Sequence, residues 1–272
     1  MPELPEVETV ANGVHERVHG QRIEGVWTSG KPQTFKSPEG EIADVLTGAV
    51  IERVRRVGKT IVISVSRGDE SSEFLVHLGM TGRLLVSAPG VEVPKHTHAV
   101  LSLGGGSRGV QELRFVDARR FGRLSVRATG YDGPGVEPLT VGEDEFVGLF
   151  RGRKTPIKAA LLNQSLLHGV GNIYADESLF RAGIRPKRQA ARLTRKELLR
   201  VREALKVVLA HAIELGGSSV SDYVDADGVR GFFQLEHRVY MRTGQPCLVC
   251  GTPVRKIVIS GRSTHFCPVC QR

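Results

Sequence analysis

Met1-Pro2-Glu3-Leu4-Pro5-Glu6-Val7-Glu8-Thr9-Val10 opens the chain and organises the reading of the rest. It is too short and too charged for a signal peptide, and no apolar run follows it. Apolar residues recur at Leu4, Val7, Val10, Ala11, Val14 and Val18, which predicts a helix over about 5–18 with one buried face. Pro5 suits the first helical position, and Glu6 and Glu8 complement the N-terminal dipole. A helix start accounts for all of this except Pro2-Glu3. Without Met1, Pro2 carries a free secondary amine. An α-amino group has a pKa of about 8, so part of it is unprotonated and nucleophilic at neutral pH. Such an amine attacks a carbonyl-like carbon to give an iminium, with Glu3 beside it as acid/base.

The 272 residues allow two domains with real cores. Charge is unbalanced, 38 basic against 29 acidic residues, and nucleic acid is the natural partner of a net +9 chain. No apolar run reaches membrane length, so no membrane partner is expected. All four cysteines fall after position 246, which points to a local metal site in a reducing compartment. Cys247-x2-Cys250 and Cys267-x2-Cys270, with 16 residues between the pairs, form a four-cysteine zinc pattern. Four thiolates close the coordination sphere, so the one Zn2+ is structural. Between the pairs, 254–264 reads as a β-hairpin with Arg262 at a basic tip, suited by charge to phosphate.

The segment 1–135 is strand-rich. Short β-type runs occur at 23–28, 50–57, 60–65, 74–78, 83–86, 99–103, 112–116 and 124–126, which predicts an antiparallel sandwich or barrel. Lys59 sits in the turn between two of them; the P-loop spacing is absent. Met80 follows a turn glycine and suits a flexible apolar wedge. His96 and His98 have the i, i+2 spacing of metal ligands, but no third ligand is close in sequence, so phosphate contact is the better reading of His96. In Asp117-Ala118-Arg119-Arg120-Phe121-Gly122, adjacent arginines beside an aromatic suit a loop that opens a duplex: arginine binds phosphate or fills a vacated base position, and phenylalanine wedges between base steps.

A turn-rich joint near Gly133-Pro-Gly precedes a helical segment, 136–235. Pro156 opens a helix carrying Ile157, Ala160 and Leu161, and a second carries Ile173, Leu179 and Phe180. The longest starts at Thr194, with Glu197 completing a capping box. Gly169-Val-Gly171-Asn172 lies ahead of the second helix, with Asn172 as its cap. A helix N-terminus offers N–H donors and a favourable dipole to phosphate, and Arg153, Lys154 and Lys158 precede it. Residues 216–235 are polar and Gly-rich and predict a mobile loop that closes over a ligand.

These blocks, from Pro2 to Cys270 and in this order, resemble the bacterial formamidopyrimidine-DNA glycosylases, which excise oxidised purines and cut the strand. The resemblance implies an α+β, multidomain chain. Residues 1–135 would be a helix plus two-sheet β-sandwich, 136–235 a helix–two-turn–helix domain, and 236–272 a zinc hairpin. It implies Pro2 as nucleophile, Glu3 as its acid/base partner, Lys59 in the active site, and Arg262 assisting the second strand cleavage. It implies DNA binding by His96, Arg120, Arg153, Lys154 and Asn172. Met80, Arg119 and Phe121 would enter the duplex, with Arg119 facing the orphaned base, and 216–235 would cover the extruded one. Ala118 departs from the family pattern, where proline or valine is expected. The implied partner is double-stranded DNA with oxidised bases or abasic sites, bound by a monomer in the bacterial cytoplasm. Two alternatives stay open: an endonuclease VIII-like enzyme for oxidised pyrimidines, and a non-catalytic zinc-ribbon DNA-binding protein.

Overall fold

A computed structural model describes residues 1–104, 109, 111–220 and 223–272. It divides into two compact units, 1–132 with 216–232, and 133–215 with 233–272.

The first unit begins with α1 (Leu4–Val18). Glu3 is its N-cap, in extended backbone, so the helix starts one residue earlier than expected and Pro5 occupies the second helical position. Proline is tolerated there because first-turn N–H groups have no intrahelical acceptor. The expected stripe Leu4, Val7, Val10, Ala11, Val14 and Val18 is buried, together with Glu6. Burying a valine or leucine side chain contributes about 1.5–3 kcal/mol, which anchors the helix through this one face.

Eight strands follow: β1 (Arg22–Thr28), β2 (Val50–Val57), β3 (Thr60–Arg67), β4 (Glu70–His77), β5 (Arg83–Ser87), β6 (Thr97–Gly104), β7 (Gln111–Val116) and β8 (Arg123–Ala128). They hydrogen-bond in the order β5-β7-β6-β1-β2-β3-β4-β8, every pair antiparallel. The β1–β2 join is a single register pair, Arg22 with Val50, whereas the other joins run for five or more. The sheet therefore acts as two four-stranded leaves that share one corner. One core serves both, with Val54, Ile61, Ile63 and Phe74 from one leaf, Leu101, Leu113 and Phe115 from the other, and Val7, Val10 and Val14 from α1. A short helix, α2 (Glu39–Leu46), was not legible in the sequence; it buries only Ile42 and Leu46, too few positions to show a period.

The second unit contains α3 (Glu143–Phe150), α4 (Ile157–Leu161), α5 (Asn172–Ala182) and α6 (Arg195–Glu214), then a hairpin of β9 (Arg255–Ile259) and β10 (Arg262–Phe266). α6 carries the expected capping box, with Glu197 N–H donating to Thr194 Oγ1 and Glu197 accepting the Thr194 N–H. α5 ends where Gly183 takes the left-handed conformation. The sequence did not reveal α3, which is held by Phe146 and Phe150, one turn apart with rings 4.9 Å between centroids.

Candidate functional site

In the first unit the site starts at the head of α1. Pro2 and Glu3 are buried. The Glu3 N–H donates to Glu6 Oε2 at 2.7 Å, one half of a reciprocal capping box, so the backbone at the N-terminus does not fray. The other Glu6 oxygen accepts the Ser218 N–H at 2.7 Å. Tyr223 Oη donates toward the Glu6 carbonyl at 3.3 Å and the Gly216 carbonyl at 3.0 Å. Burial and the Glu6 charge push the Tyr223 phenol upward, so the hydroxyl stays a donor. Gly217, at φ +80°, comes so close that an added Cβ would lie 2.9 Å from Glu6 Cγ.

The start and return of the expected mobile loop are therefore fixed. Ser219 Oγ donates to the Tyr223 carbonyl and accepts the Gly231 N–H. Asp225 Oδ1 accepts the N–H groups of Asp227 and Val229, and Asp227 pairs with Arg17 at 2.7 Å. Within 216–220 and 223–232, polar side chains satisfy several of the backbone groups of the loop expected to be mobile. Ser221 and Asp222, part of the same expectation, lie outside the described residues.

Lys59, half-buried, occupies the two-residue turn between β2 and β3, after Gly58 at φ +60°. Arg56 ties this turn to α1: its Nε pairs with Glu8 and its Nη1 donates to the Gly58 carbonyl. His77, opposite Thr60 in the β3–β4 ladder, has its pKa lowered by burial, then by the charges of Lys59 and Arg123. Its Nδ1 accepts the Gly79 N–H at 3.1 Å, as a neutral ring does.

Met80 lies on the turn closed by the Gly82 N–H to the Leu78 carbonyl, and is 36% exposed. Arg119 and Phe121 are exposed, with the guanidinium 4.7 Å above the ring centroid. One buried carboxylate organises both segments. Asp117 accepts the Thr81 hydroxyl and the Arg119 N–H through Oδ1, and the Gly122 N–H through Oδ2 at 2.7 Å. Gly79 and Gly122 let the segments touch: a Cβ on Gly79 would lie 2.5 Å from the Phe121 backbone, and one on Gly122 2.5 Å from the Phe115 ring. Arg120 takes φ +56° and donates to Gln33.

His96 is exposed at φ +69°, and its carbonyl accepts the Asp117 N–H. His98 is buried, with Nδ1 2.9 Å from Ser29 Oγ and Nε2 2.9 Å from the Asp117 carbonyl. Both ring nitrogens are thereby engaged, which argues against a metal site at the two histidines. Arg114, buried, holds the approach to His96 by donating to the Val91 and Glu92 carbonyls while paired with Glu112.

In the second unit Gly171, not Asn172, is the N-cap of α5; Asn172 is its first helical residue. The N-cap glycine has no side chain to close the helix start. The preceding loop is held by Gln164, which accepts the Gly169 N–H and donates to the Leu162 and Val170 carbonyls. Asn172 Nδ2 lies 3.4 Å from Ser263 Oγ, and its buried Oδ1 has no hydrogen-bond partner. Arg153 and Lys154 are exposed, and Arg153 Nε caps α3 by donating to the Leu149 carbonyl. Lys158, grouped with them by sequence, is fully buried against Asp176 at 2.7 Å; an ammonium with that partner and no exposure does not meet DNA. Arg262 is exposed at the tip of the hairpin, after Ser260 and Gly261, both at positive φ.

The four cysteine sulfurs converge within 4.8 Å of one another, with Cys247–Cys270 at 3.9 Å and Cys250–Cys267 at 3.5 Å. Zn–S bonds of about 2.3 Å require sulfurs about 3.8 Å apart in a tetrahedron, so the donor set fits one structural zinc. Hydrogen bonds from Thr252 hold the Cys250 thiol down to about 6, whereas burial pushes the Cys267 and Cys270 thiols up. Among the described residues no other group of three or more metal-ligating side chains converges, and no helix is long and apolar enough to cross a membrane.

Sequence reasoning read Glu6 as a first-turn charge and not as the carboxylate that holds Glu3 and Ser218, and it missed Asp117, Arg114 and the Lys158–Asp176 pair. The Glu3/Glu6 spacing of a capping box and the Asp-x-Arg spacing of an Asx turn signal the first two. The other two join residues distant in the chain and leave no local signal.

A two-leaf antiparallel sheet carrying an N-terminal Pro-Glu helix, joined to a helical unit with a zinc hairpin, is the architecture of a DNA-repair glycosylase. Three family models cover the chain in order. They are the formamidopyrimidine-DNA glycosylase N-terminal domain over 1–124, its H2TH domain over 135–224, and the zinc finger found in FPG and IleRS over 244–272. The chain belongs to the formamidopyrimidine-DNA glycosylase family. It is 43% identical to a formamidopyrimidine-DNA glycosylase of Solibacter usitatus and 42% to one of Gluconobacter oxydans, each over the full length of both chains. Among solved structures it is similar to the MutM (FPG) protein of Thermus thermophilus, with TM-score 0.86, 41% identity, and 99% and 98% of the two chains covered. It is also similar to a mutant Lactococcus lactis FPG in complex with Fapy-dG-containing DNA, with TM-score 0.89, 33% identity and full coverage of both.

Proposed function

We propose that this protein is a bifunctional DNA glycosylase and abasic-site lyase of base excision repair. It excises oxidised purines, 8-oxoguanine and formamidopyrimidines, through a Schiff base on Pro2, and cuts the strand by β- and δ-elimination. The observation that carries this reading is the head of α1, where Glu6 holds the Glu3 backbone and so fixes Pro2-Glu3.

Met80, Arg119 and Phe121 enter the duplex as the damaged nucleotide leaves the stack, and Asp117 keeps them in place before DNA arrives. Pro2, freed of Met1, attacks C1′ with its nitrogen lone pair; the glycosidic bond breaks and the base departs with those bonding electrons. The sugar ring opens to an iminium, which withdraws electrons and acidifies the 2′ hydrogen. Loss of that proton expels the 3′ phosphate, and a second elimination expels the 5′ phosphate. Glu3 transfers protons, and Lys59 and Arg262 position phosphate or transfer protons. His96, Arg120, Arg153, Lys154 and Asn172 bind the backbone. For Asn172, a half-turn of the amide lets Oδ1 accept the Ser263 hydroxyl. We further assign three working parts, 1–135, 136–235 and 236–272, with 216–232 acting alongside the first, and place the enzyme on DNA in the bacterial cytoplasm.

The wild-type Lactococcus lactis FPG has been solved with DNA containing an oxidised pyrimidine, which supports a second lesion class for this chain as well. Borohydride trapping on lesion DNA tests the main reading. With Met1 attached, the Pro2 nitrogen is an amide whose lone pair is delocalised. Protein verified by mass spectrometry to retain Met1 should bind lesion DNA but give no trapped adduct. Full trapping by that protein would remove Pro2 as nucleophile and point to Lys59.

A further inference from the structure

We propose that the buried Lys158–Asp176 pair is the positioning device for Arg262, setting the hairpin tip in register with Asn172. The pair bridges α4 and α5, and both side chains are fully buried. Both partners also bond to β10. Lys158 Nζ donates to the Ser263 carbonyl at 2.7 Å and to Thr264 Oγ1 at 2.9 Å. Asp176 Oδ2 accepts the His265 N–H at 2.8 Å and lies 3.2 Å from its Nδ1. The three residues that follow Arg262 are thus all held by one ion pair.

The other contacts of β10 are made farther from the tip, where His265 packs on the Tyr240 ring at 5.1 Å and Phe266 lies under Arg185. β9 is exposed or half-buried from Arg255 to Val258, whereas Thr264, His265 and Phe266 of β10 are buried. Zinc secures the far end of β10, at Cys267, and leaves the tip to the pair. Asp176 also lies one turn along α5 from Asn172, and Asn172 Nδ2 lies 3.4 Å from Ser263 Oγ. One network therefore fixes the distance between the phosphate-binding helix start and Arg262.

A fully buried ion pair gives little net stability, because desolvation of two charges offsets their attraction. An apolar pair of similar volume removes both charges together and leaves the His265 N–H without its acceptor, so the charges are explained by geometry: Nζ has three donors and the carboxylate several acceptor sites, enough to fix three successive residues of a strand.

The proposal rests on the reading of Arg262 as a group of the second elimination, and the experiment separates the two. The double variant Lys158→Met/Asp176→Leu, Arg262→Ala and wild type are compared on one abasic-site duplex. Zinc content, borohydride trapping and the ratio of δ- to β-elimination product are measured. The double variant should bind one zinc and trap at the wild-type level. Its δ/β ratio should fall about tenfold to a hundredfold, as displacement of a reacting group by about 1 Å does, and Arg262→Ala should fall similarly. A wild-type ratio in the zinc-loaded double variant, with Arg262→Ala impaired, would overturn the positioning role. A wild-type ratio in Arg262→Ala would overturn the reading of Arg262, and the proposal with it. Should the double variant fail to load zinc, Thr264→Val decides. It removes only the side-chain bond from Lys158; a several-fold lower ratio supports the proposal and an unchanged ratio overturns it.

Discussion

Glu6 accepts the Ser218 N–H at 2.7 Å while its second oxygen accepts the Glu3 N–H at the same distance. One buried carboxylate joins the N-terminus to a segment more than 200 residues later, within a single compact unit. Glu6→Gln leaves one acceptor oxygen and presents an NH2 group to the other N–H. An orphaned buried donor costs about 1–3 kcal/mol, so the melting temperature should fall. Hydrogen exchange at Ser218 should accelerate. Wild-type protection of that amide in the variant would refute the link.

Asp117 organises the candidate wedge loop with acceptors only. Asp117→Ala orphans the Gly122 N–H and the Thr81 hydroxyl, and should cost about 1–3 kcal/mol for each buried group left unpaired. Lesion binding and base eversion, followed by a fluorescent base analogue beside the lesion, should weaken more than binding to undamaged DNA. Equal losses on both would show that the loop has no role specific to the lesion.

Arg119 lies exposed over Phe121. A guanidinium only donates, so it suits the pairing edge of cytosine, with the two acceptors N3 and O2, better than that of adenine, with the single acceptor N1. Arg119→Ala should flatten the preference for lesion:C over lesion:A pairs. An unchanged preference at full activity would remove this residue from opposite-base reading.

Zinc removal should unfold the hairpin, since a module this short has little core of its own. Cys267→Ser should lose zinc and DNA binding while circular dichroism retains the β signal of the first unit. Full cleavage of lesion DNA by metal-free protein would contradict a structural role for the metal.

Acid should test the cap of α6. Glu197 is held down to about 2, first by its hydrogen bond from Arg188. Its folded pKa lies below the unfolded value of about 4.3, so its stabilisation is present above that value and is lost as pH falls through about 2. Glu197→Gln should lower the melting temperature at pH 6 and flatten its dependence between about pH 4.3 and 2. An unaltered slope would mean that the pair with Arg188 forms equally in the unfolded chain.

The parts of this protein that depend on neighbours in the chain were legible before any fold was known. Alternation such as Ile61-Val62-Ile63-Ser64-Val65 marks a strand, the Leu4–Val18 stripe marks a helix, Thr194 with Glu197 marks a cap, and two Cys-x2-Cys pairs mark a metal site. Each signal is local because the backbone period or the chelate ring that causes it is local. The chemistry proposed for Pro2-Glu3 was read from the same kind of local pattern. Only the tertiary structure decided where single polar side chains spend their bonds. Lys158 reads like Lys154 in the sequence, yet one is buried on Asp176 and the other exposed. Gly216 to Ser219 read as a mobile loop and are tied to Glu6 and Tyr223. His98 has the spacing of a metal ligand beside His96 and instead bridges Ser29 and Asp117. A buried polar group must find a partner wherever the fold supplies one, and that partner has no fixed distance along the chain.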